Sequence, residues 1–179
     1  MIVADPIQPS TAALSEAKAY LRIESAEEDG LAQRLIASAT ALCEQFTGRT
    51  LIARGFSQTL PASSGWQRLG ATPVLAITRV ETVPQEGPGA LIPAAQYAVD
   101  IDAGGDGWVR VKSAESTVRI RVTYEAGLAA EWSGIPEALR QGIVRLTAHL
   151  YTQRDAASDE GPPAAVTALW RPWRRMRLR

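Results

Sequence analysis

The chain has 179 residues, enough for a real apolar core in one domain or one domain with an inserted lobe, and its 46% apolar and 21% charged residues argue against bulk disorder. Its formal net charge is zero, yet the last ten residues, Trp170 to Arg179, hold five arginines and no acid, so positive charge sits on a tail and not on a broad face. One cysteine and one histidine exclude a disulfide framework and a zinc cage from this chain alone, no apolar run reaches the length of a membrane span, and the start lacks a secretory signal, so a protein made in the cytoplasm is expected.

Residues 1–12 carry Pro6 and Pro9 without periodicity and read as an arm. A short helix is predicted over 13–21, with Leu14, Ala17 and Leu21 on one side. Ser25 to Glu28 has the pattern of a capping box, with Glu27, Glu28 and Asp29 at the positive end of the helix dipole. Leu31, Leu35, Ala39, Leu42 and Phe46 then form one helical face, and Gly48 ends it.

From about 51 to 131 the period changes to two. Thr117 to Tyr124 alternates most clearly, with Val118, Ile120, Val122 and Tyr124 on one face. Tyr97 to Ile101 and Trp108 to Val111 flank a Gly-rich turn and predict a hairpin. Phe56 to Leu60, Trp66 to Leu69 and Leu75 to Val83 are further strands, and Pro84 to Pro93 reads as a surface loop. Helical spacing returns after Pro136, where Ile135, Leu139, Ile143, Leu146 and Leu150 make a stripe. A polar linker, Asp155 to Pro163, leads to a short helix over Ala164 to Trp170 that Pro172 cuts.

The expected class is α+β. Two N-terminal helices (1–50) and a long helix (135–154) pack as a helical bundle core. A β-rich antiparallel segment (51–134) is inserted between them, and residues 155–179 form a linker and a basic C-terminal arm.

Three stretches resemble a known family. In the first, Leu14, Glu16, Ala17 and Lys18 lead through Leu21 and Arg22 to the acidic Glu27, Glu28 and Asp29, and the helix ends at Thr47, Gly48 and Arg49. The second is Ile135 to Asp155, and the third the ending Ala168 to Leu178. Their order and spacing are similar to those of the head–tail connector (adaptor) family of long-tailed bacteriophages, which extends to the adaptors of gene transfer agents. Where that family often places a Ser or Thr before the helix leucine, this chain has Ala13. The resemblance implies a virion structural protein, not an enzyme. It implies a homo-oligomeric ring, commonly a dodecamer, under the portal protein. Such a ring extends the DNA channel, lets DNA pass without sequence-specific binding, and offers a platform to a tail-side completion or terminator protein. It implies no cofactor and no membrane partner. The alternatives are another head-closure or tail-completion protein, or a muralytic enzyme.

In the family the C-terminal segment grips the portal, which gives that role to Trp170, Arg171, Trp173, Arg174, Arg175, Met176, Arg177, Leu178 and Arg179. Trp and Arg dominate binding hot spots. The same tail can instead fold back on its own subunit, or attract nucleic acid through its charge. On the first reading, deleting 164–179 leaves a folded domain. Arg110, Lys112, Arg119 and Arg121 alternate on strands, either at a ring interface or channel wall or on a solvated face. His149 and Cys43 adjoin apolar stripes and read as packing residues. Asp100, Asp102 and Asp106 lack the order of a calcium loop and read as a turn. No phosphate-binding or dinucleotide fingerprint is present.

Overall fold

The structure is a computed structural model that describes residues 1–84, 88–112, 119–153 and 161–175. It is α+β, and the chain divides into two compact units. One comprises Met1–Pro6 with Ala53–Leu128, the other Ile7–Ile52 with Ala129–Arg179.

The first unit is all β. Strands β1 (Ile2–Ala4), β2 (Arg54–Pro61), β4 (Val74–Val83) and β7 (Arg119–Ala126) form an antiparallel sheet in the order β1-β2-β7-β4. Strands β3 (Gln67–Arg68), β5 (Tyr97–Ile101) and β6 (Gly107–Val111) form a second, in the order β3-β6-β5. Alternation decides which side chains meet: Ile120, Val122 and Tyr124 of β7 are buried together with Val109 and Val111 of β6 and Phe56 of β2, so both sheets feed one apolar core. A Cβ on Gly107 would stand 2.8 Å from Val74 and 2.9 Å from Leu69, so β6 approaches that core as only glycine permits. A polar pair is built into the core: the Tyr124 hydroxyl donates to Gln58 (3.2 Å), which also accepts from Gly70 N–H (2.8 Å). Burial raises the Tyr124 phenol above its ordinary pKa.

The predicted arm over 1–12 is corrected in part, because residues 2–4 are strand β1, paired with β2. Four apolar residues lead the chain, and an extended apolar run beside a sheet gains more from backbone pairing than from solvation. Of the strand predicted over 117–124, Thr117 and Val118 lie outside the described residues.

The second unit is helical: α1 (Thr11–Leu21), α2 (Asp29–Thr47), α3 (Glu137–Thr152) and α4 (Ala164–Trp170). Helix α1 starts two residues before the predicted point because Ser10 is its cap, its hydroxyl accepting from Ala13 N–H at 3.2 Å. The capping box at Ser25–Glu28 does not form. Ser25 instead closes a tight turn with Glu27 N–H, the Glu28 carboxylate accepts from the Tyr151 hydroxyl, and Asp29 pairs with Lys18 at 2.5 Å. Helix α2 does end at Gly48, in the left-handed region at φ 68°. Its most buried line is Ala32, Ile36, Ala39, Cys43 and Thr47, one residue around from the predicted leucine face. Thr40 and Thr47 can sit in this core because each hydroxyl bonds the carbonyl four residues back, at 2.8 and 2.7 Å. In α3, Leu139, Ile143 and Leu146 are buried as the stripe requires, with Pro136 just outside the first turn.

Candidate assembly interface

The C-terminal segment is the first candidate. Helix α4 presents Val166 and Trp170, four residues apart, as one buried face (2% and 0% exposed). The Trp170 ring lies on α3 at Gly142, where any Cβ would collide with the indole. Its N–H donates to Leu139 O at 3.3 Å, and the Phe46 ring of α2 stands 5.9 Å away. This corrects the assignment of Trp170 to a portal-binding arm: it is a core residue of its own subunit.

The chain then crosses the C-terminal end of α2. Arg49 Nε donates to Trp173 O (3.1 Å), Arg175 N–H donates to Thr47 O (2.9 Å), and the Arg174 guanidinium lies 5.8 Å from the centre of the Phe46 ring. Cationic groups thus gather where α2 exposes its last carbonyls, the negative end of the helix dipole. Arg171 and Arg174 are exposed. Met176, Arg177, Leu178 and Arg179 lie outside the described residues.

The four basic residues of the β unit fall on two sheets. Arg119 and Arg121 point outward from β7 and are exposed; Arg121 stands opposite Thr59 on one side and Glu81 on the other. That face also carries Arg79, paired with Glu81 at 3.1 Å, and Glu125, which leaves it close to neutral. Arg110 lies on β6, its guanidinium 4.6 Å from the centre of the Trp66 ring, and Lys112 is exposed beyond it.

The remaining candidates resolve into structure. The Asp102 carboxylate accepts from Gly104 N–H (2.8 Å), Asp106 N–H (3.0 Å) and the Trp108 indole N–H (3.0 Å). The Trp108 bond, then the backbone donors, hold its pKa below the usual carboxylate range. Cys43 is fully buried, and burial, with the Glu44 carboxylate adding to it, raises its thiol far above the ordinary range. Among the described residues no group of His, Cys, Asp and Glu could hold a metal ion, and no helix is long and apolar enough to cross a membrane. A cavity of about 370 Å³ in the helical unit is walled by the 7–13 segment, Ile36, Ile52 and Trp132, with Glu131 as its one charged residue. Beside it the Trp132 indole donates to Glu16 (2.7 Å), which also faces Arg140 at 3.6 Å. The cavity lining carries no Cys or His that could act as a nucleophile or base.

The pattern of the head completion protein family matches residues 12–161. The chain belongs to that family. No curated protein matches it. This head completion family member is similar in structure to a chain from the neck of an empty gene transfer agent (GTA) particle computed with C6 symmetry: TM-score 0.82, 26% identity, 99% of this chain and 97% of that one covered. It is similar, at TM-score 0.77 and 26% identity over the same shares, to a chain from the virion of a native GTA particle. A chain from a native GTA neck computed with C12 symmetry shares the fold at TM-score 0.73 and 24% identity, over 98% of this chain and 97% of that one. A structural role in completing the head of a virion or phage-like particle follows from the family, and with it a connector role in virion assembly.

Proposed function

We propose that this chain is a head–tail connector subunit that forms a ring beneath the portal, prolongs the DNA channel and gives the tail its attachment platform. The observation that carries the reading is the likeness to a GTA neck chain over 99% of this chain and 97% of that one. The near-neutral outer face of β7 suits a channel wall, since a strongly basic lining would hold phosphates and slow the passage of DNA. Arg119 and Arg121 there, with Arg110 and Lys112 on β6, then serve the ring or its channel.

The portal-directed arm is shorter than the tail. Trp170 anchors its base in the helical unit, and the exposed Arg171 and Arg174 begin the part that meets the portal. The basic and apolar run from Arg175 to Arg179 continues it, matched to acidic grooves by charge-assisted hydrogen bonds.

The test is truncation after Arg175, which leaves every contact described above in place. Electron microscopy of particles made with this variant is expected to show filled heads without tails and no density from this chain under the portal. Normal particles would overturn the assignment of residues 176–179 to the portal arm. Normal particles in a strain that lacks the whole chain would overturn the connector reading itself.

A further inference from the structure

A sheet edge without a neighbour presents a row of backbone donors and acceptors, and proteins blunt such edges with bulges, proline, charge or a covering segment. In the β unit, β4 is blunted twice. Its register slips between Val74 and Ala76 and again between Ile77 and Arg79. Residues 90–92 also fold along it, Thr82 N–H donating to Ala90 O (2.8 Å) and Ile92 N–H to Val80 O (3.0 Å).

Strands β1 and β5 are not covered in this way. Thr59 N–H donates to Met1 O (2.9 Å) and Asp5 N–H to Gly55 O (3.0 Å), so Met1, Val3 and Asp5 face β2. The N–H and C=O of Ile2 and Ala4 therefore point away from the sheet. On β5, Asp102 N–H donates to Asp106 O (3.0 Å) and Lys112 N–H to Gln96 O (2.8 Å), which turns the even-numbered residues toward β6. The backbone groups of Tyr97, Val99 and Ile101 then point outward. Among the described residues no strand pairs with the outer side of either edge.

The two edges can be set side by side. The first offers two outward residues spaced by two, Ile2 and Ala4, and the second offers three, Tyr97, Val99 and Ile101. Pro6, which has no N–H, stops the first edge after Ala4, and the hairpin turn at Asp102 stops the second after Ile101. Both are apolar where they are open: Ile2 and Val3 are 48% and 53% exposed, Val99 and Ile101 40% and 39%.

We infer that neighbouring copies of this chain join edge to edge, β1 of one copy pairing antiparallel with β5 of the next. In the register that engages both outward residues of β1, Ile2 lies opposite Ile101 and Ala4 opposite Val99, with Val3 opposite Asp100; Tyr97 falls opposite Pro6, where the pairing stops. Donor and acceptor strands differ, so each copy gives β1 to one neighbour and receives another on β5, the head-to-tail contact from which a closed ring is built. The inference rests on the ring reading above. A ladder of two residues is marginal alone, so it forms where copies already stand side by side.

Cross-linking tests it. Val3 and Asp100 form a non-hydrogen-bonded pair in this register, with Cα atoms about 4.5 Å apart, within disulfide reach. Both side chains are exposed, and Cys43 is buried and stays out of the reaction. Particles made with the double variant Val3→Cys/Asp100→Cys are oxidised mildly with copper phenanthroline and run on a non-reducing gel, with this chain detected by antibody. The expected result is a ladder of covalent dimers, trimers and higher multimers, absent from each single variant. In a second variant, Val99→Pro removes only an outward N–H and spares the β5–β6 ladder. It is expected to melt like the parent chain and to form no rings. Rings seen by electron microscopy with no ladder on the gel, or dimers from Val3→Cys alone, overturn the pairing and leave the ring reading standing. Parent particles without rings overturn both.

Discussion

Replacing Gly142 by Ala measures whether α4 is seated on its own subunit. An Ala in a helix interior is favoured over Gly by about 1 kcal/mol. Gly142, however, lies under the indole of the fully buried Trp170, and an added Cβ would strike the ring. Overpacking of this kind costs about 1–3 kcal/mol, because the ring must leave its rotamer or α4 must shift. The expected net effect is a loss of about 1 kcal/mol, the midpoint of the overpacking range less the helix gain. Trp170→Ala alone removes the ring and should cost about 3–5 kcal/mol. In that background the clash is gone and only the helix gain remains, so Gly142→Ala should now stabilise by about 1 kcal/mol. The two substitutions couple by about 2 kcal/mol. Urea unfolding of the four full-length proteins, followed by far-UV circular dichroism, reads the cycle. If Gly142→Ala stabilises the chain while Trp170 is present, the indole does not lie on α3 and Trp170 is not a core residue of its own subunit.

Three other outcomes follow from single contacts. Glu16→Ala leaves the Trp132 indole N–H without its acceptor, and it should lower stability in urea by about 1–3 kcal/mol, the cost of an unmet polar group that is largely buried. Gly105 has φ 78° and a Cβ there would stand 2.7 Å from Pro73, so Gly105→Ala should lower stability in urea by more than the ~1–2 kcal/mol cost of a left-handed alanine. Asp102 has a depressed pKa in the folded chain, so its support of the hairpin is present above the ordinary aspartate pKa and lost as pH falls through the lower folded value. Measured against the intrinsic rate at each pH, the protection of the Gly104 and Asp106 amides from exchange should therefore be high at neutral pH and fall in acid, whereas Asp102→Asn should flatten that dependence.

Much of this fold was legible because period and punctuation carry it. The hairpin from Tyr97 to Val111, the inward face of β7 and the α3 stripe each follow from alternation or helical spacing around glycine. What escaped needed a third dimension. The α2 core line runs through Ala32, Ala39 and Cys43, not the leucines, because helices that touch closely do so through small side chains. Two threonines complete that line by returning their hydroxyls to their own helix, a saving that apolar periodicity does not register. The capping box failed because Tyr151 and Lys18, distant in sequence, take the carboxylates of Glu28 and Asp29. Strand β1 was hidden because its partner, β2, lies more than fifty residues away.

The tail shows best why composition misleads about a site. Five arginines with two tryptophans read as a free binding arm, since Trp and Arg dominate interfaces. The deciding signal was elsewhere: Val166 and Trp170 one turn apart, and in α3 a glycine among larger residues, which is a vacancy shaped for a ring. The arginines beyond Trp170 are not all alike. Arg174 and Arg175 lie by the carbonyl end of α2, where positive charge is favourable within the subunit. Arg171 is exposed, and Arg177 and Arg179 lie outside the described residues. If the portal arm is as proposed above, a tail fixed at its root loses less entropy on meeting a partner than one free along its whole length, and the buried tryptophan serves the arm by shortening it.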